Sequence, residues 1–185
     1  LTGVELGTTW SNERASLRVT GFVNEVEDAV ANVTLGFGPG FVPGAGFVPA
    51  GGIGRQRQNL DQITIHGFEL ALTQRVSDDL TLRADYLYTD AEDDATGRRL
   101  PQVSAHTLVG GLDWNPYARW HVQLQGRYVS DAYEDDGNTL VLTSALTWDM
   151  RVSHQFDEQT EVFLAVENIT DKNLIVGRTT NHLLD

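Results

Sequence analysis

Four arginines stand in segments that are otherwise neutral or acidic: Arg55, Arg57, Arg98 and Arg99. Paired guanidiniums can hold an anion by charge-assisted hydrogen bonds, the stronger kind. The simpler alternative is that each pairs with a carboxylate nearby. Tyr133, inside an acidic segment, offers a ring that could stack on a ligand or merely pack. Carboxylates gather as Glu25, Glu27 and Asp28, as Asp90, Glu92, Asp93 and Asp94, and as Asp131, Glu134, Asp135 and Asp136. Calcium favours several carboxylate oxygens on a flexible loop, but Asp131 to Asn138 lacks the ligand register of an EF-hand, and solvated acidic loops are common.

Other chemistries find no support. His66, His106, His121, His154 and His182 fall in different elements without short ligand spacing, so no metal site is expected. Cysteine is absent, which excludes disulfides and thiolate chemistry. No Gly-x-Ser-x-Gly elbow or phosphate-cradling glycine motif occurs, and no catalytic residues, cofactor or enzymatic activity are expected. A net charge of −13 argues against a nucleic-acid partner.

The elements that must position these residues are strands. Apolar and polar residues alternate through about eight stretches, the period-two signature of a strand with two unlike faces. The expected strands are Val4–Trp10, Ala15–Asn24, Ile65–Val76, Leu80–Thr89, His106–Trp114, Trp120–Tyr128, Leu140–Phe156 and Thr160–Asn168. The sixth is the cleanest, with Trp120, Val122, Leu124, Gly126 and Tyr128 opposite His121, Gln123, Gln125 and Arg127. Tight turns alternate with long connections, Glu25 to Gln62, Asp90 to Ser104 and Ser130 to Thr139. The fold class that follows is all-β, an antiparallel up-and-down meander of neighbouring strands paired in sequence order.

Long and short connections at opposite ends, with strands of membrane-crossing length, suit a transmembrane β-barrel. Mid-strand pairs such as Arg83 with Asp85 would be tolerated equally on a solvated sheet. The apolar face says more. Trp114 and Trp120 flank one short turn, and Tyr86 and Tyr88 sit at the far end of their strand, like the aromatic girdles at bilayer interfaces. No run approaches the ~18 apolar residues of a membrane helix. The longest uncharged run, Ala29 to Gly54, is interrupted by Pro39, Pro43 and Pro49. It contains a short repeat, Gly40-Phe-Val-Pro43 and Gly46-Phe-Val-Pro49, which reads either as an external lid with aromatic tips that touch substrate or as a flexible loop without a ligand role.

Three segments resemble the C-terminal part of TonB-dependent outer-membrane receptors. Glu161-Val-Phe-Leu-Ala-Val-Glu-Asn168-Ile-Thr-Asp-Lys172 is similar to their penultimate-strand signature. Arg99-Leu-Pro-Gln-Val-Ser-Ala-His106-Thr resembles the Leu-Pro motif that leads from an external loop into a strand. Val19-Thr-Gly-Phe-Val-Asn24-Glu-Val-Glu-Asp28 resembles a strand end opening a long external loop. The resemblance implies a barrel of about 22 strands closed around an N-terminal plug, set in the bacterial outer membrane and contacting its lipid. It further implies active uptake of a scarce nutrient, of the ferric siderophore or cobalamin class, energised by a TonB-type transducer that engages the plug.

It also implies that the tight turns are periplasmic and the long loops external, where Arg55, Arg57, Arg98, Arg99 and Tyr133 would face an anionic ferric chelate. The plug, the transducer-binding box and the final strand have no counterpart here. Residues 1–185 are therefore expected to be a single segment of the barrel domain, starting abruptly in strand and ending in loop-like His182-Leu-Leu-Asp185. Two other readings stay open: a complete eight-stranded outer-membrane barrel acting as an anchor or adhesion surface, and a soluble ligand-binding β-barrel or sandwich.

Overall fold

The structure, a computed structural model, describes residues 1–177, the side chain of Asp61 excepted. It is built from strands and the turns between them, with no helix among the described residues. The wall consists of β1 (Thr2–Ser11), β2 (Ala15–Phe37), β5 (Ile53–Arg75), β6 (Leu80–Asp93), β8 (His106–Trp114), β9 (Trp120–Val129), β12 (Ala145–Gln155) and β13 (Glu161–Val166). These pair antiparallel in that order, each with its neighbour in the chain of wall strands. The short pieces β3 (Gly40–Val42), β4 (Gly46–Val48), β7 (Arg98–Arg99), β10 (Ala132–Tyr133) and β11 (Val141–Leu142) belong to the long connections.

The tight turns close through their own side chains. Asn12 Oδ1 accepts hydrogen bonds from the Arg14 and Ala15 amides, both at 2.8 Å, and Asp157 Oδ1 accepts one from the Gln159 amide at 2.9 Å. Asn and Asp serve turns because their short side chains satisfy backbone groups that a ladder cannot reach.

Three expectations are corrected. The Glu25–Gln62 connection is mostly strand: β2 and β5 continue as one ladder to Phe37 and Ile53, each 23 residues long. Glycine and proline density governs only the tip, whereas Val26, Val30, Val33 and Thr34 favour pairing throughout the arm. The expected Leu140–Phe156 strand is divided into β11 and β12, because Val141 and Leu142 pair with β10 rather than with the wall. Finally, β6 extends past Asp90 to Asp93, where β7 pairs with it.

Register makes the two faces explicit. One row crosses the sheet as Leu82, Leu112, Leu124, Met150 and Val166, each opposite the next. The other face carries Arg83 opposite Gly111, Gly111 opposite Gln125 and Gln125 opposite Asp149. The sheet is a single layer, and nothing covers the apolar face: Leu82, Leu108, Leu146 and Trp148 are all exposed. A soluble chain rarely leaves so large an apolar patch open, whereas hydrocarbon covers it at no cost. Two aromatic groups border it. Phe68, Tyr86, Tyr88 and His106 interlock at one end, and Trp120, His154 and Phe156 at the other. The polar face is cross-linked by Arg83–Asp113 at 2.9 Å, Gln123–Asp113 at 3.0 Å and Arg151–Glu161 at 2.8 Å.

Buried apolar side chains lie elsewhere, at the long-loop end: Val42, Val48, Ile63, Ala91, Ala105, Ala132 and Leu142. β1 and β13 each have one neighbour only, so the sheet is open among the described residues.

Two glycines test the packing. A Cβ at Gly67 would run into the Tyr88 carbonyl oxygen and lie 2.9 Å from Phe22 Cζ, while one at Gly110 meets nothing within 4 Å. Gly67→Ala is therefore expected to destabilise the barrel by about 1–3 kcal/mol, and Gly110→Ala to leave it unchanged or slightly stabilised. Unfolding of the intact protein in bilayers checks the contrast.

Candidate functional site

Three long connections meet above one end of the sheet: the arm formed by the ends of β2 and β5, the loop between β6 and β8, and the loop between β9 and β12. Their contacts join residues far apart in sequence. Arg55 Nη2 donates to Glu134 Oε1 at 3.0 Å, and Gln102 Nε2 donates to Glu134 Oε2 at 3.2 Å. The Thr34 amide donates to Asp136 Oδ1 at 3.1 Å. Arg99 and Asn138 are tied twice, through the Arg99 amide to Asn138 Oδ1 and through Asn138 Nδ2 to the Arg99 carbonyl, both at 2.9 Å. The Gln102 amide donates to the Tyr133 carbonyl at 2.6 Å.

Glu134 is the junction of this interlock. It is 7% exposed, and its two oxygens are taken by groups from the two neighbouring loops. A buried carboxylate is stable only when its charge is compensated, and Arg55 does this. The adjacent Asp135, 2% exposed, holds its own loop. Burial raises its pKa, but hydrogen bonds from the Leu140 amide and from the Thr139 hydroxyl and amide outweigh that and hold it below the ordinary 3.8. Asn138 and Gln102 take left-handed backbone angles, φ 56° and 62°, that turn the chain at these contacts.

The structure separates the four arginines into two groups. Arg55 and Arg99 are engaged by carboxylates, Arg55 with Glu134 and Arg99 Nε with Asp90 at 3.3 Å. Arg57 and Arg98 are exposed and form no ion pair among the described residues. Arg57 faces Asn32 across the arm. Arg98 and Arg99 help to line a groove of about 260 Å³ with Asn32, Asn59, Pro101 and Asp136. Tyr133 is half-buried in the hairpin of β10 and β11, beside Glu134.

The acidic clusters do not converge on a common centre. Glu134 and Asp136 accept from other loops, Asp93 accepts from the Ala95 amide and the Thr96 hydroxyl, and Asp94 accepts from Thr64. Among the described residues no three His, Asp or Glu side chains are placed to hold a metal ion. His182 lies outside the described residues, as does the chain end expected to be loop. Gln102, Thr34 and Asn138 were not singled out from sequence. Only Asn138 had a signal, since Asp-Asp-Gly-Asn is turn chemistry.

The fold and its loops match known proteins. A family model described as TonB dependent receptor-like, beta-barrel, matches residues 2–169. The chain belongs to this family. Membership places the sheet in the bacterial outer membrane, in a family of transport receptors rather than enzymes. In outer-membrane barrels short turns face the periplasm and longer loops the exterior.

Similar solved structures include the siderophore receptor PiuA from Acinetobacter baumannii (18% identity, TM-score 0.72, 95% of this chain and 25% of that one). The ferric yersiniabactin uptake receptor FyuA from Yersinia pestis is also similar (17%, 0.74, 97% and 26%). So is the copper transporter OprC (17%, 0.73, 94% and 25%). The chain thus spans about a quarter of the length of these structures. No curated protein sequence matches it.

Two outcomes follow for the interlock. Glu134→Ala leaves Arg55 and Gln102 without their shared acceptor, a loss of about 1–3 kcal/mol for a buried partner. Amide exchange in all three loops should accelerate, while the wall strands stay protected. Because the folded pKa of Asp135 is lowered, its contribution is complete above 3.8 and fades as pH falls through the lower value. Exchange at the Thr139 and Leu140 amides should rise over that acidic range, and Asp135→Asn should abolish the dependence.

Proposed function

We propose that this TonB-dependent receptor segment supplies part of the barrel wall and outer mouth of a transporter that takes up a ferric siderophore or a similar chelate, with energy from a TonB-type transducer. Residues 1–185 form one segment of the barrel domain. The plug that the transducer engages, and the remaining strands, belong to the rest of the protein. Outer-membrane lipid covers the apolar face, and the polar face lines the lumen. Nucleic acid has no place in this scheme, given the acidic chain.

The observation that carries the reading is the division among the arginines. The Arg55 guanidinium is taken by Glu134 of another loop and that of Arg99 by Asp90 of its own connection, which leaves Arg57 and the groove residue Arg98 available at the outer mouth. Their guanidiniums offer two donors to an anionic ligand in an otherwise acidic surface, with the Asn32 and Asn59 amides alongside. Similarity to receptors for siderophores supports the ligand class. Among the described residues β1 and β13 each keep one open edge, which weighs against a complete eight-stranded barrel, because lipid tolerates no unpaired strand edge.

Binding of a panel of ferric siderophores and cobalamin to the intact receptor tests this. One ferric chelate is expected to bind, and its energy-dependent uptake should fail in cells lacking the transducer. A charge-assisted hydrogen bond is worth about 1.5–3 kcal/mol, so Arg98→Ala should weaken binding of an anionic chelate by roughly 10- to 100-fold. Arg57→Ala should act in the same direction. Unaltered affinity in the double variant, or uptake without the transducer, would overturn the assignment.

A further inference from the structure

We infer that the groove beside Arg98 takes a zwitterionic ligand: a ferric chelate whose anionic centre meets Arg98 and whose aliphatic arm carries a positive charge to Asp136. The inference rests on the transport reading and names the substrate class at that same mouth. It starts from two opposite charges that share one groove of about 260 Å³. They do not pair with each other, and among the described residues neither Arg98 nor Asp136 forms an ion pair with any other group.

Separate elements fix the two groups in place. Arg98 lies in β7, opposite Asp93 of β6. Asp93 gives both its oxygens to its own turn, to the Ala95 amide and the Thr96 hydroxyl. Asp136 comes from the loop between β9 and β12, and its Oδ1 accepts the Thr34 amide of the arm at 3.1 Å. Its other oxygen accepts no hydrogen bond among the described residues. A ligand with both charges satisfies the two groups at once, whereas a purely anionic one meets Asp136 as a like charge.

The walls and the size of the groove decide what enters. Val33, Leu60, Leu100 and Pro101 line it, and no aromatic ring does. Such a wall buries a methylene chain through the non-directional hydrophobic effect and offers a catechol ring no stacking partner. Sites for whole ligands run to roughly 300–1,000 Å³, so this groove admits an arm of the chelate and not the whole of it. Arg98 is exposed and Asp136 half-buried. The exposed guanidinium therefore suits the iron centre at the rim, and the half-buried carboxylate suits the end of the arm.

The wider field acts in the same direction. The three acidic clusters hold eleven carboxylates against the four arginines, and Arg55 and Arg99 are already matched by Glu134 and Asp90. A surface of one sign steers ligands of the other toward it. A chelate with several negative charges is repelled on approach, while one with a single negative centre and a positive arm is not. Salt screens such fields beyond about 8 Å, so Asp136, inside the groove, acts on the arm more strongly than the distant carboxylates do.

The test measures binding of two synthetic ferric chelates to the intact receptor. Both hold iron through two hydroxamates and one α-hydroxycarboxylate, a centre with one net negative charge. Their aliphatic arms differ only at the end, a primary amine in one and its acetamide in the other. The amine is expected to bind about tenfold tighter or more, the scale of one charge-assisted hydrogen bond. Asp136→Asn, which keeps an oxygen for the Thr34 amide, should remove that preference. Asp131→Asn, the same charge change at an exposed position outside the groove lining, should retain it. Amide exchange at Thr34 and along the wall strands checks that the variants stay folded. Equal affinity for the two compounds, a preference that survives Asp136→Asn, or one lost equally in Asp131→Asn sinks the inference. A receptor that takes up another ferric chelate yet binds neither compound also sinks it, with the transport reading intact. A receptor that binds no ferric chelate at all overturns both.

Discussion

The constraint on which everything else rests is backbone hydrogen bonding in a medium without water. Hydrocarbon supplies neither donors nor acceptors, so each N–H and C=O of the wall must be satisfied by a neighbouring strand. The antiparallel ladder does this without interruption from β1 to β13, and register shifts are confined to the arm near Leu35. Once the ladder is fixed, alternation assigns each side chain to one of two faces. The row from Leu82 to Val166 then forms the apolar face and the row from Arg83 to Asp149 the polar one. Among the described residues β1 and β13 each have one neighbour, and backbone groups at such edges call for partners in a bilayer.

A single-layer wall has no interior of its own, which accounts for where this chain places its buried residues. Below the loops the wall is held by its ladder. Above them, water returns and the protein must build a core. Val42, Val48, Ala91, Ala132 and Leu142 are buried there, and so are Glu134 and Asp135. Buried carboxylates in such a small cluster persist because each is matched, Glu134 by Arg55 and Gln102, and Asp135 by three donors of its own turn. Pairings of this kind link loops that are 79 and 32 residues apart in sequence. The mouth is consequently a set of ordered, interlocked loops, and the groove beside Arg98 has a defined shape.

Sequence reading was most reliable where one local rule operated. Period-two alternation located all eight wall strands, and Asn12, Ser77, Asn115 and Asp157 marked the tight turns between them. It failed in the arm, where the Gly/Pro-rich tip drew attention from the β-branched Val26, Val30 and Val33 that extend the ladder. It also joined β11 to β12, since nothing local in Thr143-Ser144 announces that Val141 and Leu142 turn aside to pair with β10. For the arginines, sequence offered two readings of all four. Both apply, to different members, and the choice between them depended on carboxylates distant in the chain.

What the sequence determined by itself, then, was the wall: strand number, order, faces and the two unlike ends, because strand alternation and turn chemistry act over a few residues. The tertiary structure decided the mouth. It ran β2 and β5 on as an arm, seated the β3–β4 hairpin on Gly36 and Gly54, and gave Glu134 to Arg55 while leaving Arg98 in the groove. Those outcomes depend on which loops come within hydrogen-bonding distance, and that distance is set by the curvature and register of the whole sheet rather than by any local run of residues.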